Sequence, residues 1–445
     1  MLASHANSGE MREDMVAETE RAAALEVIRR HQRHNFLVNV LDLTFYDLAL
    51  SFIFGSTVLS LYTSYLTSSA FMIGLVPAIQ NVGYFIPQLL LAQRAETLPR
   101  KKPFIMRISV MERLPYLAVA VLILLWPGAP SWLSYLVLLM SLGTATLSGG
   151  LASPAWQAMI AKVVPASRRG LLFSLGRALG GGLGLLGALL SRRILADYAY
   201  PISFGLCFLL AFGAQACSWC CLAMNREPSM PVTREAVAPR AYLSRLPSLL
   251  RGDRNLRWYL VARILTILGG MTGAFYVIYA KRTFAVGDAF AGELTMAALA
   301  AQVTLVPFLG WLSGRLGHKW LAELGALIAA AGLVALLLAP SAAWLYVVFA
   351  IMNTGNAAVG TASFAMTMEF CSEEQVPTYT AMINTIVAGP ILLAPMLGGW
   401  FVDSVGFQSA FGLALAFSVL GWAAMRWLVR DPRIEAPRAA AEVAL

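Results

Sequence analysis

Twelve stretches of mostly apolar residues occupy the chain between Phe36 and Val429: 36–64, 71–93, 104–126, 132–160, 171–190, 201–224, 258–280, 290–312, 320–339, 344–370, 379–402 and 407–429. A helix rises about 1.5 Å per residue and the hydrocarbon core of a bilayer is roughly 30 Å thick, so each stretch is long enough to cross it. Hydrocarbon offers no partner to backbone N–H and C=O groups, which makes the helix the form such stretches take. With 58% hydrophobic and 13% charged residues, the composition excludes an ordinary soluble domain. The expected fold is an all-α polytopic membrane protein of 12 transmembrane helices, called spans 1 to 12 below.

One interruption divides the spans six and six. From Asn225 to Arg257, 33 residues carry seven arginines, three acidic residues (Glu227, Glu235, Asp253) and prolines at 228, 231, 239 and 247. Proline breaks helices and these charges have no place in hydrocarbon, so the stretch reads as a cytosolic linker between two membrane-embedded halves. Leu243, Leu246, Leu249 and Leu250 recur at helical spacing around Arg245. That pattern fits either a short amphipathic helix on the membrane surface or a contact with the protein's own underside. The expected domains are a tail at 1–34, a six-helix bundle at 35–224, the linker at 225–257, a second bundle at 258–429 and a tail at 430–445.

Of the 33 Lys and Arg residues, 24 fall in the tails, the linker and alternate loops, and 4 in the remaining loops. Basic residues favour the cytosolic side, so both termini are expected there. Their dispersal argues against nucleic acid, which needs a basic patch with aromatic neighbours. The first 34 residues lack the apolar core and cleavage site of a signal peptide. They run from acidic (Glu10, Glu13, Asp14) to basic (Arg29, Arg30, Arg33), which suits the dipole of a solvated juxtamembrane helix. His31 and His34 have metal-ligand spacing, but among arginines they read as interface anchors. Cys217, Cys220 and Cys221 form a CxxCC in an apolar span without His or carboxylate and read as packing, so neither a metal nor a cofactor is expected. The preference for Arg (28) over Lys (5) suggests a GC-rich bacterial genome and hence an inner membrane.

The halves echo each other. Displaced by 220 residues, Asn35 falls on Asn255 and Pro87 on Pro307, and the junction of spans 4 and 5 (164–170) is echoed between spans 10 and 11 (371–377). Parallel six-helix repeats place a substrate site at their interface near the midplane. Between spans 8 and 9 stands Gly310-Trp311-Leu312-Ser313-Gly314-Arg315-Leu316-Gly317-His318-Lys319. This stretch resembles the cytosolic G-x-L-x-[DG]-R-x-G-x-[KR] loop of the major facilitator superfamily, and with six-plus-six spans and a basic linker the resemblance covers nearly the whole chain. It implies two bundles rocking around a central site. It further implies that Gly310, Gly314 and Gly317 let helices approach closely while Arg315 and Lys319 latch one conformation; a plain basic turn would have the same chemistry. The first half's equivalent loop (94–102) keeps the charge without the glycines. Span 5 lacks the Gly-Pro pair of the family's drug antiporters, and span 4 the arginine of its proton-coupled drug exporters. Residues 394–399 of span 11 resemble the family's packing motif.

A charge at the centre of a lone helix costs about 2.5–3.5 kcal/mol on insertion scales, so charges inside spans carry a functional expectation. Asp42 and Asp47 of span 1 point roughly 140° apart and do not suit a shared proton. Buried carboxylates are natural proton carriers, which makes Asp42, Asp47 and then Glu112 of span 3 the coupling candidates, with structural ion pairs as the alternative. Arg107, Glu112 and Arg113 of span 3, with Arg177 of span 5 as a mate for Glu112, read as an intramembrane charge network. Glu112 and Arg113, as sequence neighbours, are expected to face different partners. Arg263 of span 7, near the repeat position of Asp42, suits an anion contact or an outward-reaching side chain.

Small and polar residues trace the expected substrate cavity. They are Asn39 and Tyr46 in span 1, Gln80, Tyr84 and Gln88 in span 2, and Ser141, Thr144 and Ser148 in span 4. Span 7 adds Thr266 and Tyr276, and span 10 adds Asn353, Asn356 and Ser363. Such stripes also serve dry helix packing. The family resemblance assigns the cavity to spans 1, 4, 7 and 10. No GxxxxGK[ST] sequence is present, and the four histidines form no catalytic constellation. The expected function is secondary active transport of a small molecule by alternating access, coupled to a proton or another ion, by a monomer in the lipid bilayer. The alternatives are a non-transporting sensor or scaffold of the same fold, and a polytopic membrane enzyme.

Overall fold

The computed structural model describes residues 2–96, 98–230, 253–370 and 376–431. Neither Gly nor Pro occurs from residue 10 to residue 54, and α1 (Leu2–Phe52) accordingly runs unbroken from the tail into the membrane. Tail and span 1 are thus one helix, where a separate juxtamembrane element was expected. At Gly55 the helix breaks into a π-turn (Gly55–Leu59), and α2 (Ser60–Leu66) completes span 1. Spans 2 to 6 are α3 (Ala70–Glu96), α4 (Lys102–Leu125), α5 (Ser131–Val163), α6 (Ala166–Asp197) and α7 (Ile202–Ala223). The helix of span 5 overruns its expected limits at both ends, because Arg168 and Arg169 at one and Arg192 and Arg193 at the other are compatible with helix but not with hydrocarbon.

Span 7 is broken like span 1. It comprises α8 (Arg254–Gly269) and α9 (Tyr276–Phe284), separated by a turn that holds Gly270 and Gly273. Asp253 caps α8 by accepting the Leu256 amide at 2.9 Å. Spans 8 to 12 are α10 (Ala289–Leu316), α11 (His318–Leu337), α12 (Trp344–Glu369), α13 (Val376–Val405) and α14 (Phe407–Trp427). Among the described residues, ten helical segments are long and apolar enough to cross a membrane. Span 2, the 27-residue α3, and the broken span 7 complete the twelve. Large apolar side chains such as Leu125, Leu338 and Trp427 stand exposed, as a hydrocarbon solvent requires.

The internal repeat is a repeat of packing. In the first half span 1 packs on spans 5 and 6, span 4 on spans 2 and 3, and span 3 on span 6. The second half repeats this, with span 7 on spans 11 and 12, span 10 on spans 8 and 9, and span 9 on span 12. The asparagines matched in sequence do the same work in each half. Asn35 donates its amide to the Arg226 carbonyl at 3.1 Å and accepts the Arg226 N–H at 2.9 Å. Asn255 treats Arg430 identically, at 3.0 and 2.8 Å. Each pins the start of a half's first span to the chain leaving its sixth, satisfying backbone groups that a helix end would otherwise leave open.

The first residues of the linker are anchored. Glu227 accepts the Lys101 and Lys102 amides at 2.9 and 2.8 Å, capping α4, and takes Lys162 Nζ at 3.1 Å. The leucine pattern at 243–250, residues 371–375 and the tail from 432 lie outside the described residues.

Candidate transport site

The two halves meet through span 2 on span 11 and span 5 on span 8. Glycine makes the first seam possible. A Cβ at Gly74 would collide with the backbone of Pro395, and one at Gly399 with the backbone of Ala70. On the second seam, a Cβ at Gly181 would collide with Val303.

Polar contacts between the halves gather at the end away from the termini. Thr57 and Thr295 hydroxyls lie 2.5 Å apart, and Tyr65 donates to Asp288 at 2.6 Å while receiving a hydrogen bond from Lys281. Arg192 binds Glu293 at 2.6 Å, and Asp403 accepts from Ser69, Ala70 and Phe71. At the end bearing the termini, no hydrogen bond or ion pair joins the halves among the described residues. The described polar contacts between the halves thus lie at the outer end.

A buried charge network occupies the first half. Asp42 accepts Ser218 Oγ at 2.6 Å and Trp156 Nε1 at 3.3 Å. Arg113 donates Nη2 to Ser218 Oγ at 3.1 Å, Nε to the Gln215 carbonyl at 3.0 Å and Nη1 to Glu112 at 3.0 Å. Tyr46 closes the chain by donating to Glu112 at 3.1 Å. Glu112 and Arg113 therefore pair with each other, contrary to the expectation for sequence neighbours, because the guanidinium is long enough to fold back across its own helix. Arg177 does not reach Glu112. It binds Asp47 at 2.8 Å, with 69% of its side chain exposed. Arg107 is exposed and has no part in the network.

The expected cavity residues divide. Tyr84 and Asn356 are exposed, while Gln80, Ser141, Thr144, Arg263 and Asn353 are half-buried. Asn39 is fully buried, bonded to Asn225 at 2.6 Å. Thr266 packs beside Gly421 of span 12, and Tyr276 is buried with its hydroxyl on Thr272. Ser148 and Ser363 are buried as well. The Gln88 side chain lies outside those described. Small-polar stripes were read as lining where several of them are packing, since both uses favour the same residue types.

The loop between spans 8 and 9 has its own geometry. Gly317 adopts φ +109°, which only glycine takes without strain, and this sets the turn between α10 and α11. At Gly310 and Gly314 an added Cβ would meet open space, so neither serves close packing in this conformation. Arg315 lies over the Trp311 ring at 4.2 Å. Lys319 binds Glu323 at 2.9 Å, and Glu323 also faces Arg426 at 3.4 Å. Sequence reasoning missed Trp156 and Ser218, whose only signal was polarity inside apolar spans, and the outer-end cluster, where Glu293 stood as an unexplained charge in span 8.

Residues 261–444 match the Major Facilitator Superfamily model. The chain resembles that superfamily in sequence over its second half. Its second half carries the family's sequence, and the whole carries the fold. The solved structure of the xylose transporter XylE from E. coli, in a partially occluded inward-open conformation, has 16% identity and a TM-score of 0.67, covering 90% of this chain and 98% of that one. A nucleoside transporter, NupG, gives 12% and 0.66, covering 89% and 100%. A bacterial homologue of the human lysosomal transporter Spinster, inward-facing, gives 14% and 0.64, covering 91% and 98%. No curated protein matches the sequence. The length and apolar composition of its helices make the chain a multi-pass membrane protein with the fold these transporters share.

Proposed function

We propose that this chain couples transport of a small molecule to protons through the buried cluster of Asp42, Arg113 and Glu112. The observation that supports this reading is a count of charges. Two carboxylates share one guanidinium, linked by Ser218 on one side and by direct contact on the other. With both acids ionised the cluster would hold an uncompensated negative charge, and a low-dielectric interior penalises that by several kcal/mol or about that order. One proton on either acid removes it. Asp47 differs, since Arg177 already neutralises it as an ion pair. The substrate is a small molecule, and its route runs along the interface of the two halves, where parallel six-helix repeats place the site. The protein works in a bacterial inner membrane, a reading supported by its arginine-rich composition.

The test needs no substrate. Infrared difference spectra across a pH titration of the protein in nanodiscs should show one protonated-carboxyl band that Asp42→Asn or Glu112→Gln removes and Asp47→Asn keeps. A titration unchanged by both of the first two substitutions would end the proposal. A panel of metabolites and drugs screened by thermal unfolding then supplies a ligand, because a ligand bound only by the folded state stabilises by about RT ln(1 + [L]/Kd). With that ligand, Asp42→Asn should abolish gradient-driven accumulation and leave exchange intact.

A further inference from the structure

The seam between α3 and α13 ends on one carboxylate. Asp403 accepts the Ala70 amide at 2.8 Å, the Phe71 amide at 3.0 Å and the Ser69 hydroxyl at 2.9 Å. The two amides belong to the first turn of α3, where N–H groups lack intrahelical partners and the helix dipole favours an anion. A residue of the second half thus caps a helix of the first. The close backbone approach that Gly74 and Gly399 allow is what brings the carboxylate within reach.

The other charged contacts at this end are built differently. Asp288 is held by Tyr65 across the gap but also by Lys281 of its own half, at 2.7 Å. Glu293 is held by Arg192 across the gap and also by Tyr346 of its own half. Both would keep a partner if the halves separated. Asp403 would keep no hydrogen bond, because every one it makes among the described residues crosses to the other half, and only the charge of Arg282 acts on it from its own.

We propose that Asp403 is the positioning residue of the outer gate: its carboxylate holds this end closed by capping α3 across the bundle interface, and opening requires that cap to be given up to water. The idea rests on the alternating-access reading above. It also places a conformational latch at the opposite end from the loop between spans 8 and 9.

Asp403→Asn keeps the side chain's shape but replaces one acceptor oxygen with a donor that opposes the helix amides. The readout is the distance between spin labels on Ser131→Cys and Ser341→Cys, exposed sites at the outer ends of the two halves, in a background whose native cysteines are replaced. In nanodiscs, Asp403→Asn should add a longer-distance population and raise the open-to-closed ratio about tenfold, equivalent to about 1.4 kcal/mol. Asp403→Glu should restore part of the closed population. Ser69→Ala, which removes one donor and leaves the carboxylate, should move the ratio in the same direction by about threefold. Wild-type distances in both Asp403→Asn and Ser69→Ala would overturn the proposal, as would a shift in Asp403→Asn that Asp403→Glu does not reverse. Because distances are measured without substrate, failure of the gate and failure to transport are seen separately: a wild-type protein without flux refutes transport, while the label distances still decide the role of Asp403.

Discussion

At the scale of single residues, charge in this chain is decided by reach. Asp42 and Asp47 point to different sides of span 1, as their spacing requires, and find different partners, Ser218 and Trp156 for one and Arg177 for the other. Which aspartate faced a neutralising cation was not legible, because that depends on the neighbours each face meets. Arg113 is the opposite lesson. Adjacent to Glu112 in sequence, it reaches Glu112, Ser109, Gln215 and Ser218 through four bonds from one guanidinium. The ion pair of Asp47 with a largely exposed Arg177 is worth under about 1 kcal/mol to stability, so its interest is positional. The paired asparagines give a sharper expectation. Asn35 is fully buried, and Asn35→Ala leaves the Arg226 N–H and C=O without partners, a loss of about 1–3 kcal/mol. Asn255→Ala, at a more exposed position, should cost about 0.5–1.5 kcal/mol. Thermal unfolding of the two variants in detergent checks the order; equal losses would show that burial does not set the difference.

At the scale of elements, hydropathy located every span and misjudged their continuity. It placed a boundary at residue 34, where α1 continues without a break because no breaker is present. It drew spans 1 and 7 as single helices, where Gly55 and the glycines after α8 interrupt them. Both broken segments lie at the outer end, against the opposite half: the π-turn and α2 meet α9 and α10 there. The glycine seam predicts a sign that propensity alone would reverse. Alanine is favoured over glycine within a helix by about 1 kcal/mol, yet Gly74→Ala must push against the Pro395 backbone when the outer end is closed. Gly74→Ala is therefore expected to increase the open population between the Ser131 and Ser341 labels while leaving helicity by circular dichroism unchanged. An unaltered distance distribution would mean that the seam relaxes at little cost.

At the scale of the molecule, the charged side chains of the superfamily loop find their partners within the second half among the described residues. The loop lies at the end bearing the termini, with Arg315 stacked on Trp311 and Lys319 tied to Glu323. A latch at that end acts in the state where that end closes. Arg315→Ala should thus destabilise the alternative, outward-open state and favour the one described, seen as greater thiol labelling of Asn356→Cys from the cytosolic side and loss of any long-distance population at the outer labels. Labelling equal to that of the unsubstituted Arg315 background would remove the loop from the gating equilibrium. The sequence by itself determined the solvent, the number of spans, the orientation and the repeat, since each follows from the length of apolar runs, the placement of charges and matched residues such as Asn35 and Asn255. Only the tertiary structure decided which polar residues pack and which face open space, which carboxylate shares Arg113, and that Asp403 caps a helix 332 residues away from it at Phe71. Those facts belong to side chains meeting across helices, and the identity of a neighbour on another helix is written in no local pattern.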